Sequence, residues 1–404
     1  MNAEHDERLR PLLDRRAFLG GAAVAALPFA HGALDPMARA DEPPSGTRPQ
    51  KNGRLPGVIL RQKNPDNVEF PFASLDSFLT PNEQFYVRTH FEVPQVDAKS
   101  WRLRVEGEVE RPLEIGYDEL RKMKSHTLTA LLECSGNSRV FLKPPQAGLR
   151  WELGGVSNAE WVGVRLADVL ERAGVKEGAI EAILEGADKG EFKSPKTPGV
   201  IHYARSLPLK KARRPEVLLA YKMNGKDLPA AHGAPVRALV AGWYGMASVK
   251  WLQRIIVTDR PFQGLFQTFM YTVWERHHGQ PMLVPVRDIQ VKSEIARPIL
   301  NEVVPAKSKY RVFGAAWAGE LEIAKVEVSA DGGKTWTEAK LLGKSGPYTW
   351  RFWEHEWPTP ERAGRYVLMA RATDTRGHKQ PMERDEDRRD AVITHVLPVE
   401  VDVR

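Results

Sequence analysis

The chain has a single cysteine, Cys134, among its 404 residues. That scarcity excludes an intrachain disulfide, a zinc site built on several thiolates, and covalent attachment of a c-type haem, which takes two cysteines ahead of a histidine. Long apolar runs are equally scarce. The most apolar stretch, residues 20–30, is about half of the roughly 20 residues that a membrane-spanning helix needs, so no permanent membrane anchor is expected. There is no helix-turn-helix pattern, no zinc-ligand spacing and no basic-aromatic stacking motif, which sets nucleic acid aside as the partner of the +7 net charge. With 42% hydrophobic and 27% charged residues, the composition is that of a soluble globular chain rather than a disordered or fibrous one.

What is present begins with a leader. Asp14-Arg15-Arg16-Ala17-Phe18-Leu19 precedes the apolar run and Ala38-Arg39-Ala40 follows it. Paired arginines, a Phe-Leu, an apolar run and a small-x-small site in that order read as a twin-arginine export signal over residues 1–40, cleaved before Asp41. Export to the periplasm in the folded state suits an enzyme whose cofactor is inserted in the cytoplasm. Residues 1–40 hold five Arg against five Asp plus Glu. The positive excess therefore belongs to the mature chain, where it favours an anionic substrate or cofactor, or an acidic redox partner. Residues 41–56, with Pro43, Pro44, Gly46, Pro49 and Gly53, read as an extended linker.

The remaining length suits two domains. Over residues 57–280, strands are expected at 101–109, 127–133, 236–240 and 249–257, and helices at 117–123 and 164–173. Strands and helices interleave without a regular βαβ rhythm, so the class is α+β. From residue 281 the pattern changes to short alternating runs at 310–316, 322–329, 335–341, 349–353 and 366–373, with Asp331-Gly332-Gly333 as a hairpin turn. Regularly spaced strands with turn chemistry between them predict an all-β immunoglobulin-like sandwich over 281–404.

Three segments could carry chemistry. Cys134 follows the 127–133 strand and opens the loop Ser135-Gly136-Asn137-Ser138-Arg139. A lone cysteine is more often a small buried core residue than a ligand, yet a soft thiolate suits a metal that also has sulfur ligands. His232-Gly233-Ala234-Pro235-Val236-Arg237 and the run from Gly242 to Trp251 place His, Arg and Lys around a strand that ends in a glycine-rich turn. Such donors beside permissive glycines can bind an anionic cofactor arm. In Phe85-Tyr86-Val87-Arg88-Thr89-His90, the Arg88 guanidinium offers planar paired donors to an oxyanion. Each basic group alone is as readily a solvated surface residue.

Taken together these segments carry a resemblance. The Cys134 loop, the Arg88 segment, Gly148-Leu149-Arg150-Trp151, the run from Ala159 to Leu166, Val217 to Gly225, the His232 run, Ser248 to Leu252 and Ser329 to Trp336 occur in an order similar to that of the sulfite oxidase family. The match spans nearly all of the chain after about residue 57. The resemblance implies a mixed α/β molybdopterin-binding catalytic domain over 57–280, with Cys134 as the protein's ligand to molybdenum, and a dimerisation domain over 281–404. It places Arg88, Tyr271, Arg139, Trp151 and Arg389 around the substrate, with Tyr244 as the alternative tyrosine and an acidic Asp390 after Arg389. It assigns His90, Asp188, His232, Arg237, Ser248 and Lys250 to the pterin and its phosphate. The implied reaction is oxidation of sulfite to sulfate by a homodimer, with no haem in this chain and an external cytochrome c as acceptor. Sulfane dehydrogenase molybdenum subunits share these motifs and act on sulfur carried by a partner protein. Reductases of oxidised methionine in the same superfamily typically lack the second domain. From another class, a non-catalytic exported binding protein would keep Cys134 buried and empty.

Overall fold

Alternating apolar and polar residues build two five-stranded sheets in the first half of the chain. In the computed structural model, which describes residues 57–343 and 346–404, the first sheet runs Leu113–Gly116, Arg102–Gly107, Leu252–Thr258, Glu181–Gly190, Ile201–Pro208. Its pairings are antiparallel apart from Arg102–Gly107 with Leu252–Thr258. The second runs Lys226–Asp227, Val217–Met223, Val156–Arg165, Ser125–Glu133, and Arg237–Val240 also pairs with Val217–Met223. The export signal and linker expected over residues 1–56 lie outside the described residues.

The two sheets share one core. Leu103, Val105, Leu184, Ile255 and Val257 of one sheet meet Val164, Val217 and Leu219 of the other. Helix Leu166–Ala173 closes it with Leu166, Val169, Leu170 and Ala173, the i, i+3, i+4, i+7 set that makes one face of a helix. Gly174 ends this helix in the left-handed region at φ 69°, its amide bonding back to the Leu170 and Glu171 carbonyls. The helix expected from residue 164 starts two residues later because Val164 and Arg165 finish strand Val156–Arg165. The second expected helix is Tyr117–Lys122, and Leu209–Ala212 adds a single turn. The fold is mostly sheet with few helices.

In the second half, Lys292–Arg297, Lys309–Trp317, Arg351–Pro358 and Lys340–Leu342 form one sheet. The other consists of Val303–Val304, Val399–Val403, Gly364–Asp374, Ile323–Ser329 and Thr337–Glu338. Val312, Trp353 and Trp357 of the first pack with Val326, Val328, Leu368 and Val401 of the second. The single strand expected at 335–341 is split: Thr337–Glu338 pairs in one sheet and Lys340–Leu342 in the other. Buried Ala339 sits at the crossover, its amide bonded to the Val326 carbonyl at 2.8 Å. The Asp331 turn is also wider than a two-residue hairpin. The Asp331 carboxylate accepts the Lys334 amide at 3.0 Å and the Thr335 amide at 2.9 Å, so the side chain organises the loop.

Between the halves, Leu131, Val156 and Tyr244 pack with Ala296, Phe313, Trp317 and Trp350. Two elements at this junction were not expected from the sequence: a π-helical turn, Phe266–Met270, and the hairpin Thr272–His277 with Gln280–Pro285. Most of the hairpin residues are exposed, so their sequence has no apolar alternation to betray the strands. Its turn is legible in structure, with φ 48° at His278 and 80° at Gly279.

Candidate active site

Cys134 is placed by the strand that precedes it. Strand alternation puts Ala130, Leu132 and Cys134 on one face, in a cluster with Tyr86, Trp151 and Trp161, while Leu131 points to the other core. The strand stops at Glu133. There the Cys134 amide bonds to the Gly155 carbonyl at 2.8 Å, and the Asn137 amide returns to the Cys134 carbonyl at 2.9 Å. The thiol is buried and unpaired, and it lines a cavity of roughly 660 Å³, part of it open to solvent.

Arg88, His90, Asp188, His232, Arg237, Ser248, Lys250 and Tyr271 line this same cavity. Arg237 is buried, with one guanidinium nitrogen 3.0 Å from the His232 carbonyl and another 2.9 Å from that of Ser248. Its charge lies 5.1 Å from the centre of the Trp161 ring. Among the described residues no carboxylate pairs with it. Burial pulls Arg237 down to about 10, so the group stays charged and in need of an anion. Lys250 Nζ donates to Thr89 Oγ1 at 3.1 Å and the Ala231 carbonyl at 3.0 Å. Burial and the Arg237 charge hold Lys250 below its ordinary range, with Asp188 opposing.

Asp188 sits in a bulge of strand Glu181–Gly190, where the pairing register shifts between Glu185 and Lys189. Bulges of this kind re-aim side chains beside sites. Burial raises Asp188, against the pull of Lys250. The buried His232 ring is bonded through Nε2 to the Asn82 carbonyl at 3.0 Å, and burial lowers it to about 4, so it is neutral near pH 7. Gly233 follows at φ 106°, and a Cβ there would stand 2.9 Å from Lys250 Cβ. Glycine lets the backbone pass against the lysine.

At the other end of the cavity, Arg88, His90 and Tyr271 form a chain. An Arg88 nitrogen lies 3.1 Å from His90 Nδ1, and His90 Nε2 lies 2.6 Å from Tyr271 Oη. The guanidinium has donors only, and the same Arg88 nitrogen also stands 3.4 Å from His90 Nε2, so the tautomer of the ring sets which partner donates in the His90–Tyr271 bond. Burial and the charges of Arg88 and Lys250 hold His90 well below the usual histidine range, consistent with the neutral ring. Burial raises Tyr271, while Arg88, Arg139 and Arg205 pull the other way.

Two residues at this end had not been singled out. Tyr203 stacks on His90 at 5.8 Å between ring centres and donates to the Met246 carbonyl at 2.8 Å. Arg205, buried two residues along the same strand, bonds to the carbonyls of Phe266 and, at 3.0 Å, Val286, and its charge lies 5.9 Å from the Tyr271 ring centre. It thereby ties the π-helical turn to the end of the hairpin that follows Tyr271. Strand Ile201–Pro208 also carries His202 and Ser206, so nothing in its local pattern marked this arginine.

Three residues expected around the substrate are not among those that line this cavity. The Arg139 guanidinium is held by the Leu149 and Asp390 carbonyls at 3.0 Å each and by the Asp390 carboxylate at 3.5 Å. Trp151 is fully buried behind the wall, edge-on to Tyr86 at 6.2 Å. Arg389 bonds to Thr272 Oγ1. Asp390, which follows it, instead serves Arg139. Tyr244 lies in the core between the halves, so of these two tyrosines it is Tyr271 that lines the cavity, together with Tyr86 and Tyr203.

The donor set can be tested against the cofactor it is expected to hold. Ser135 Oγ and Asp188 Oδ1 are buried in this wall with no hydrogen-bond partner among the described residues, and such groups call for a missing partner. Among the described residues, no group of three or more His, Cys, Asp or Glu is placed to hold a metal ion. A metal on Cys134 must therefore bring its remaining ligands. Unpaired buried cations beside one thiol fit an anionic organic cofactor that carries its own metal. That arrangement defines the class: an oxidoreductase-type cavity for a metal delivered on an anionic cofactor.

Comparison with known proteins agrees. Residues 90–266 match the oxidoreductase molybdopterin binding domain family and residues 284–389 the Mo-co oxidoreductase dimerisation domain family. The chain is 36% identical over 376 residues to sulfite oxidase of Gallus gallus, covering 88% of this chain and 77% of that one. It is 32% identical over 378 residues to mitochondrial sulfite oxidase of Rattus norvegicus, covering 87% of this chain and 66% of that one. The solved sulfane dehydrogenase SoxCD from Paracoccus pantotrophus superposes with a TM-score of 0.75 at 26% identity, covering 88% of this chain and 92% of that one. The chain belongs to the sulfite oxidase family of molybdenum oxidoreductases.

Proposed function

We propose that this chain oxidises sulfite to sulfate and passes the electrons to an external acceptor, a c-type cytochrome. The observation that carries this reading is the cavity itself, in which Cys134, the Arg88–His90–Tyr271 chain and the Arg237–Lys250 pair share one wall. Cys134 would hold the molybdenum, and Arg237, Lys250, His232, Ser248 and Asp188 the pterin and its phosphate. The chemistry that the cofactor supplies when bound is two-electron oxygen transfer to sulfur. The chain's own part is positioning and charge compensation. Arg88 attracts and orients the oxyanion. Tyr271, hydrogen-bonded to His90, presents its hydroxyl to an anion oxygen. Arg139 adds positive charge behind Tyr271.

A second reading, oxidation of sulfur borne by a carrier protein, is favoured by the superposition on sulfane dehydrogenase. Burial of Cys134 within a small cavity favours a free anion instead. The remaining assignments are expectations of the same reading: export by residues 1–40, a catalytic domain to residue 280, and an immunoglobulin-like domain from 281 that pairs two copies. Two facing sheets in the second half support the last of these.

The experiment is rapid mixing of the oxidised protein with free sulfite, followed by turnover with cytochrome c, ferricyanide and dioxygen in parallel. Reduction by sulfite supports the proposal, and its absence favours the carrier-bound substrate. Cys134→Ser should lose turnover while keeping the fold.

A further inference from the structure

Behind the Cys134 loop lies a buried ionic cluster with no part in the cavity wall. Lys292, on strand Lys292–Arg297 of the second half, is fully buried. Its Nζ stands 2.8 Å from Glu294 Oε1 and 3.2 Å from Glu133 Oε1, and donates to Ser138 Oγ at 3.0 Å. The Ser138 hydroxyl donates to Glu294 Oε1 at 2.6 Å, and the Trp317 indole N–H to Glu133 Oε2 at 2.9 Å. Glu133 directly precedes Cys134 and Ser138 lies four residues beyond it. One ammonium from the second half thus grips both ends of the loop that carries the thiol.

Stability alone is a poor account of this cluster, because apolar replacements for buried ion pairs are often neutral or better. The geometry suits another purpose. Ser138 is held at φ 72°, a conformation that a non-glycine residue keeps only where its surroundings impose it. The Ser138 amide bonds to the Glu152 carbonyl at 2.7 Å, and its hydroxyl is held between Lys292 and Glu294. Metal sites depend on partners outside the ligand that fix its orientation.

We propose that Lys292, with Glu133 and Ser138 as its anchors, is a positioning residue through which the second half of the chain sets the Cys134 thiol toward the cavity. This rests on Cys134 as the molybdenum ligand. The second half then contributes to the site itself.

The test uses full-length holoprotein with two readouts, amide hydrogen exchange over residues 134–139 and the EPR signature of the half-reduced molybdenum. Lys292→Met should speed exchange in that segment about tenfold or more and shift the EPR signature. Ser138→Ala, a milder change that removes one end of the grip, should move both in the same direction and decides the question if Lys292→Met fails to fold. Trp357→Leu, a truncation in the other core of the second half, should lower Tm while leaving both readouts at parent values. Unchanged exchange and EPR in folded grip variants would overturn the proposal, as would equal changes in Trp357→Leu. Failure of the metal reading is separate, since it would appear as parent turnover with sulfite in Cys134→Ser.

Discussion

Arg237→Met keeps most of the length of a buried side chain and removes its charge. The fall of Arg237 from its ordinary value to about 10, at 1.36 kcal/mol per tenfold change, means that burial penalises the charged form by about 3 kcal/mol. The variant removes that penalty but leaves the His232 and Ser248 carbonyls without their donor, at about 1–3 kcal/mol each when buried. The two effects oppose one another, so the cofactor-free chain loses only about 0–3 kcal/mol. Cofactor binding responds differently. Loss of one buried partner of a phosphate weakens binding by about 2–5 kcal/mol, roughly 30-fold to several thousandfold.

The stability penalty does not depend on pH in the working range. Folded and unfolded chains both keep the guanidinium protonated below about 10, and only between there and the ordinary arginine value does the unfolded chain bind more protons, so stability rises with pH in that window alone. Urea unfolding of parent and variant gives the first number, and molybdenum content after extended dialysis reports the second. Parent-level molybdenum in the variant would refute the argument. So would a stability loss well above about 5 kcal/mol, which would make Arg237 chiefly structural.

His232, lowered to about 4, leaves the unfolded chain with more bound protons between about 4 and 6.5, so stability rises with pH across that window and is lost as pH falls through it. The loss is about 3 kcal/mol at low pH, and His232→Gln should flatten the slope of unfolding free energy by up to one proton; equal slopes would contradict the burial argument. Gly233→Ala should destabilise by about 1–3 kcal/mol and lower molybdenum content, because its Cβ meets Lys250 at 2.9 Å; thermal unfolding and metal analysis check it. Tyr271→Phe should retain the metal but lower kcat about a hundredfold or more, and parent kcat with sulfite would remove Tyr271 from the chemistry.

Much of the fold was legible because its signals are local. The amphipathic 166–173 helix follows from residue spacing, and the strand leading to Cys134 from its apolar end. The split at Ala339 was not legible, because the choice of sheet depends on partners distant in sequence. The exposed hairpin after Tyr271 lacks the alternation that burial imposes. At the site, Arg88, His90, Asp188, His232, Arg237, Ser248, Lys250 and Tyr271 do converge on the cavity of Cys134. Motif matching could not say whether Arg139 or Arg389 faces that cavity. A guanidinium goes where carbonyls and carboxylates are brought to it, and here Leu149, Asp390 and Thr272 capture the two.

The lone thiol illustrates the division most clearly. Sequence by itself determined that one cysteine follows an apolar strand, that basic clusters stand on either side of it in order, and that the chain is similar to a molybdenum family. Only tertiary structure decided which groups surround that thiol. Lys292 comes from 158 residues beyond Cys134, on a strand of the second half, and reaches Glu133 and Ser138 because sheets of both halves pack into a common core. No local pattern encodes that meeting. Burial then converts ordinary surface residue types, a lysine and two glutamates, into a paired cluster, since charges withdrawn from water must find one another.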